Sequence, residues 1–215
     1  PGVFIWAGTG NTYDGQWVTG KQKGSGTMRY ADGGVFSGIW EDNMKKGEGS
    51  LTDKDGCVYK GQFAKDVFEG HGTLASLAPP GSPPGTTGDL YDGGWSCNLK
   101  QGFGRLSWSD GSAYDGCWHR GDREGYGSWT SAGGDKYAGW WKDNAKHGEG
   151  VLEWASGDVY DGEWLDDTQN GHGLWTRPHI EVWTMSHDKP GLWLSGHRWG
   201  RMAAFTVSAL QSTTL

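Results

Sequence analysis

From Tyr13 onward, rings, gaps and polar residues alternate in a pattern that returns every 23 residues. Tyr13-Asp14-Gly15-Gln16-Trp17 has a ring, a Gly two residues on and a second ring two further on. The same order starts again at Phe36, Tyr59, Tyr91, Tyr114, Tyr137 and Tyr160, with 23-residue steps except the 32 between Tyr59 and Tyr91. With the first ring as position 0, position +4 holds Trp17, Trp40, Phe63, Trp95, Trp118, Trp141 and Trp164. Positions +11 and +13 are Gly in every unit, as in Gly24/Gly26 or Gly125/Gly127. Position +15 is always large and apolar: Met28, Leu51, Leu74, Leu106, Trp129, Leu152, Trp175.

Residues two apart in a strand share a face, so positions 0, +2 and +4 line one side of a first strand. Positions +11, +13 and +15 do the same on a second. Each unit therefore predicts a β-hairpin, with Gly columns that leave room for rings from neighbouring strands. A helix is the poorer reading, because each Gly would cost it about 1 kcal/mol. The polar stretch from +5 to +10, as in Glu41 to Lys46, predicts the loop inside a unit. Gly at +20 (Gly33, Gly56, Gly111, Gly134, Gly157) predicts the turn between units, three times as Asp-Gly. A lone hairpin is marginal in water, so stability is expected from neighbours sharing one aromatic stripe.

Composition narrows the picture. The chain has 215 residues, 15 of them Trp and 40 Gly, and only 34% are hydrophobic. A few rings must supply most of the buried area. The net charge of −7 opposes a nucleic-acid groove or a broad anionic-lipid surface. Cys57, Cys97 and Cys117 are too few and scattered for a disulfide framework, which fits a reducing compartment. No apolar run long enough for a membrane helix and no signal-peptide pattern is expected.

Tyr-x-Gly-x-Trp followed by Gly-x-Gly-x-Leu at this period resembles the MORN (membrane occupation and recognition nexus) repeat, from about Tyr13 to Trp175. The resemblance implies an all-β protein: an elongated, single-layer, twisted antiparallel sheet of tandem hairpins with a grooved aromatic face. It divides the chain into an N-terminal cap strand (1–12), seven repeats (13–175) with a Pro-rich insertion at 75–90, and a degenerate repeat with a C-terminal cap or tail (176–215). In the last part Trp183 keeps the period, while Met185, His187 and Leu194 stand where Gly, a ring and Gly belong.

What the resemblance implies for function is a non-catalytic scaffold. A short chain given over to repeats is most similar to the small MORN subunits of the radial spoke head in motile cilia. That places it in the cytoplasm, on the cytoskeleton and in the axoneme, with other subunits of a large assembly as partners. Self-association through an end or the groove is compatible with this, and a membrane role is disfavoured. The alternatives are a membrane-associated tether or lipid-binding protein, and a regulatory module for an enzyme on another chain. The candidate partner groove is lined by Tyr91, Trp95, Tyr114, Trp118, Tyr137 and Trp141, unless those rings merely pack on each other. The insertion, with Pro79, Pro80, Pro83 and Pro84, reads as an exposed loop or a docking segment.

No catalytic residue, metal site or cofactor is expected. Gly15-x4-Gly20-Lys21 approaches a phosphate loop, but Gln22 stands where Ser or Thr would hold the metal. His71 and His172 share column +12 but sit about eight strands apart, roughly 38 Å at ~4.8 Å per strand, so they cannot share an ion. His179, His187 and His197 lie in the irregular tail. Asp14, Asp92, Asp115 and Asp161 recur at +1, which suits a solvated face rather than a singular general acid.

Overall fold

Every Tyr-x-Gly-x-Trp segment is an extended strand, and every Gly-x-Gly-x-Leu segment lies in the strand after it. The computed structural model describes residues 2–177 and 183–185. β1 (Gly2–Ile5) precedes seven hairpins. These are β2–β3 (Thr12–Val18, Lys21–Arg29), β4–β5 (Val35–Glu41, Met44–Thr52), β6–β7 (Val58–Ala64, Val67–Ala75), β8–β9 (Leu90–Ser96, Leu99–Ser107), β10–β11 (Ala113–His119, Asp122–Thr130), β12–β13 (Lys136–Lys142, Ala145–Glu153) and β14–β15 (Val159–Leu165, Thr168–Thr176). β16 (Trp183–Met185) follows. Among the described residues all 16 strands form one antiparallel sheet in sequence order. At ~4.8 Å per strand it is roughly 70 Å long. Among the described residues no helix is long and apolar enough to cross a membrane.

The turn inside each unit is tighter than the polar run from +5 to +10 suggested. Only +6 and +7 are turn residues, and both have positive φ, as at Asp42 (51°) and Asn43 (69°) or Asp143 (48°) and Asn144 (68°). Two such residues make a type I′ turn, which matches the twist of the flanking strands. Position +7 is accordingly Gly, Asn or Asp in all seven units: Gly20, Asn43, Asp66, Asn98, Gly121, Asn144, Asp167. Five of these side chains also reach back one unit. Asn43, Asp66, Asn98, Asn144 and Asp167 accept the backbone N–H of the residue at +9, for example Arg123 N–H to Asn144 Oδ1 at 2.9 Å.

The Gly columns divide into two kinds. Gly at +2 and +13 face each other, as Gly116 faces Gly127. The ring that chiefly fills their gap is the position-0 ring of the same unit, which for the +13 Gly comes from the neighbouring strand. A Cβ at Gly127 would lie 2.4 Å from Tyr114 Oη. Gly at +11 instead has positive φ, 74° at Gly102 and 95° at Gly125. It sits where two extra residues of the second strand bulge: Gly116 pairs with Gly127, but Trp118 pairs with Arg123. Toward the following unit the register is regular, with Gly125 opposite Trp141, Gly127 opposite Gly139 and Trp129 opposite Tyr137.

The ends continue the register. β1 sets Gly2 opposite Gly15 and Phe4 opposite Tyr13. β16 sets Trp183 opposite Trp175 and Met185 opposite Gly173. The sequence-predicted features at His179, His187, Leu194, His197 and the rest of the tail lie outside the described residues. The four prolines of the insertion are exposed. Its base is closed by Ser76 N–H to Asp89 O and by Asp89 N–H to Ser76 Oγ.

Candidate functional site

Position 0 and position +4 rings build a continuous zipper along one face. Each ring at 0 meets the +4 ring of its own unit and that of the next, edge to face. From Tyr13–Trp17 to Tyr160–Trp164, the centroids are 5.0–5.5 Å apart and the planes cross at 76–90°. This geometry sets the positive edge of one ring against the negative face of another. The polar ends are satisfied too. Tyr114 Oη donates to Cys117 O at 2.9 Å, and five other tyrosines do the same three residues on. Trp141 Nε1 donates to Gly127 O at 3.2 Å, the +13 Gly of the preceding unit.

Burial follows from this packing. Tyr91, Tyr114 and Tyr137 are at most 1% exposed, and Trp95, Trp118 and Trp141 are 4–5% exposed. The structure brings these six predicted groove residues together as the floor of the face, packed on one another. Burial holds the tyrosine hydroxyls protonated well above their ordinary range, Tyr59 up to about 12 and Tyr91, Tyr114 and Tyr137 beyond that.

A second tier lies over the floor, and the columns chosen from the sequence did not include it. Position +9 holds Gln22, Lys45, Phe68, Lys100, Arg123, Lys146 and Gln169. Its cations rest on ring faces: Lys100 Nζ is 4.6 Å from the Trp118 centroid, Arg123 Cζ is 4.3 Å from Trp141 and Lys146 Nζ is 5.4 Å from Trp164. Phe68 takes the cation's place in the third unit, stacked on Tyr59 at 3.7 Å. Burial lowers the pKa of Lys100 and of Arg123. Half-buried rings complete the tier, Trp108, Trp129, Trp154 and Trp175 among them. The signal was present as an in-register run of Lys and Arg that has the same parity as the Gly columns.

Between two of these cations is a hollow of about 420 Å³, lined by Trp108, Asp110, Ser112, Arg123, Trp129, Trp141, Lys146 and Asp167. Of the six floor residues only Trp141 lines it. Indole walls with Arg123 and Lys146 beside Asp110 and Asp167 at the edges suit a side chain from another molecule better than a reacting centre. Among the described residues no group of His, Cys, Asp and Glu is placed to hold a metal ion. The recurring aspartates lie on the opposite face, where Asp92 pairs with His71 at 3.2 Å and Asp115 with Arg105 at 3.8 Å.

A protein-family model described as the MORN repeat matches residues 13–35, 36–58, 59–76, 91–113, 114–136, 137–159 and 160–178. Among curated protein sequences nothing matches. Among solved structures, the TCP domain of Drosophila melanogaster SAS-4 (dCPAP), in complex with a proline-rich motif of Ana2 (dSTIL), is 12% identical. Its TM-score is 0.44, covering 76% of this chain and 85% of that one. The wild-type TCP10 domain of Danio rerio CPAP is 10% identical, with a TM-score of 0.46 over 86% of this chain and 84% of that one. At those values neither likeness bears on function.

Proposed function

The chain belongs to the MORN repeat family, and from that premise we propose that it is a non-catalytic scaffold whose grooved aromatic face orders partner chains. The observation that carries this reading is the two-tier face. Its floor rings are spent on the fold, whereas the Trp108, Trp129 and Trp141 hollow with its Arg123 and Lys146 edges is open. The ring floor repeats from unit to unit along roughly 70 Å, with a cation above it at Lys45, Lys100, Arg123 and Lys146. That suits an extended contact and not a single reacting centre.

The assembly we propose is a ciliary or flagellar axonemal complex, with the radial spoke head first and a subunit of the radial spoke head protein 10 type as its form. The support is the resemblance of its seven tandem repeats to those of such subunits. The exposed Pro79–Pro84 segment is proposed as an auxiliary docking loop, because Pro-rich chain loses little entropy on ordering. The test is affinity purification from ciliated cells with the intact chain and with a Trp108→Ala/Trp129→Ala variant. Axonemal chains that co-purify with the first and not the second support the reading. Recovery of none, or equal recovery by a correctly folded variant, removes it.

A further inference from the structure

The cations above the rings are not all paired. Lys45 and Lys146 reach Asp66 and Asp167 at 3.8 and 3.6 Å. These aspartates stand at +7 of the next unit, where Lys100 instead meets Gly121 and Arg123 meets Asn144. Among the described residues, neither Lys100 nor Arg123 forms an ion pair. Arg123 Nη2 donates to the neutral carbonyl of Asn144 at 2.6 Å. Lys100 Nζ rests on ring faces, Tyr91 at 5.1 Å and Trp118 at 4.6 Å, with the Asp89 carboxylate acting on it only from beyond ion-pair distance. A positive charge drawn out of water without a counter-charge is costly, and a ring face offsets only part of that cost. Desolvation shows in both groups as a pKa pulled down.

We propose that Lys100 and Arg123 anchor an acidic α-helix of a partner protein, laid along the groove across the strands, with two carboxylates seven residues apart on one face. This rests on the groove being the interaction surface and adds the partner's chemistry. The two cations occupy the same position in adjacent units, so they recur every two strands, roughly 9.6 Å. Seven residues of α-helix rise about 10.5 Å and return to nearly the same face. An extended strand does not fit, because its same-face residues fall about 6.8 or 13.6 Å apart. A polyproline helix returns every third residue at about 9.3 Å, but leaves no side chain on that face in the half-step of about 5 Å beyond a carboxylate.

The groove calls for such a side chain. The hollow lined by Trp108, Trp129 and Trp141 lies at Arg123, on the side toward Lys146. On a helix, the residue three or four places beyond the second carboxylate faces it, and a Leu, Met or Phe there buries itself against indole. Asp110 and Asp167 also line the hollow but are engaged, Asp110 by Ser112 and Asp167 by Lys146. Asp167 still attracts Arg123 from a distance, but neither carboxylate forms an ion pair with it, so a partner carboxylate can dock directly on the guanidinium.

The test is fluorescence anisotropy with a labelled Ala/Gln-based helical peptide of about 20 residues. It carries Glu at two positions seven apart and Leu four residues beyond the second. Its Glu→Gln counterpart is expected to bind the wild-type chain about tenfold more weakly, since charge-assisted contacts are lost. On a Lys100→Gln/Arg123→Gln variant, that difference should shrink to less than about twofold. Equal binding of both peptides overturns the cation role and leaves the groove as an uncharged interaction surface. Binding of neither overturns the proposal, as does a difference that persists in the variant. Vesicles of phosphatidylcholine with phosphatidylserine form the second arm. If they bind through Lys100 and Arg123 while the peptides do not, the anions served are lipid and the proposal falls. The two peptides compared on the unmodified chain give an answer even if the variant folds poorly.

Discussion

The Trp118 indole donates from Nε1 to the backbone carbonyl of Gly104 at 3.0 Å, a buried hydrogen bond from one unit to the last strand of the unit before. The same Gly104 lies beneath the Tyr91 ring, where a Cβ would come within 2.4 Å of Oη. One residue thus accepts the next unit's indole and makes room for its own unit's phenol. Ring, gap and carbonyl recur together because they are parts of one joint.

Trp118→Ala therefore removes more than area. It opens the zipper between Tyr91 and Tyr114, which meet Trp118 at 5.4 and 5.2 Å, and leaves Gly104 O without its indole donor. The expected loss is about 3–5 kcal/mol, read by urea unfolding. A loss under about 1 kcal/mol would show that the units are held together by something other than this stripe.

The two kinds of Gly should fail differently. Gly127→Ala sets a methyl 2.4–2.6 Å from Tyr114 ring atoms, and the ring has nowhere to go, so a loss of about 3 kcal/mol or more is expected. Gly102→Ala meets no atom within 4 Å and suffers only from its φ of 74°. The expected loss there is about 1–2 kcal/mol. Reversal of that order in side-by-side thermal melts would contradict the division into spacer and bulge columns.

Alkali should unfold the array. The hydroxyls of Tyr13, Tyr59, Tyr91, Tyr114, Tyr137 and Tyr160 are all raised, in each case chiefly by burial. Above pH ~10 the unfolded chain releases protons that the folded chain keeps, so stability falls as pH rises. The loss should begin near the free tyrosine value and continue through about pH 12, where Tyr59 titrates in the folded state. Tyrosinate absorbance and far-ultraviolet circular dichroism should change together. Ionisation of these six tyrosines near pH 10 in a still-folded chain would show that their hydroxyls are open to solvent.

Column chemistry made the strands and the shared face legible, because Tyr114, Gly116 and Trp118 obey a parity of two that needs no tertiary knowledge. The bulge was not legible from Gly125 alone: a spacer Gly and a left-handed Gly are the same letter, and only the pairing of Trp118 with Arg123 separates them. The two-residue turn could have been read from the Gly, Asn or Asp at +7. Whether Tyr91 to Trp141 face a partner or one another depends on what lies above them. That is set by Lys100, Arg123 and Lys146, which look like ordinary surface charges until their register with the rings is noticed.

Those cations lead to the last prediction, in which stability and binding part company. Lys100 is desolvated, forms no ion pair among the described residues and touches Tyr91 and Trp118 with its charge. Phe68 holds the same position two strands away and stacks on Tyr59 at 3.7 Å, so the site accepts an apolar side chain. Lys100→Met removes the desolvation cost and the cation–π attraction together, and these nearly cancel. The isolated chain is expected to stay within about 1 kcal/mol of the wild type or to gain slightly, while its preference for the acidic peptide over the Gln peptide falls. A residue kept for the fold would behave in the opposite way. Loss of more than about 2 kcal/mol in urea, with peptide discrimination intact, would make Lys100 a structural cation and leave Arg123 as the only anchor.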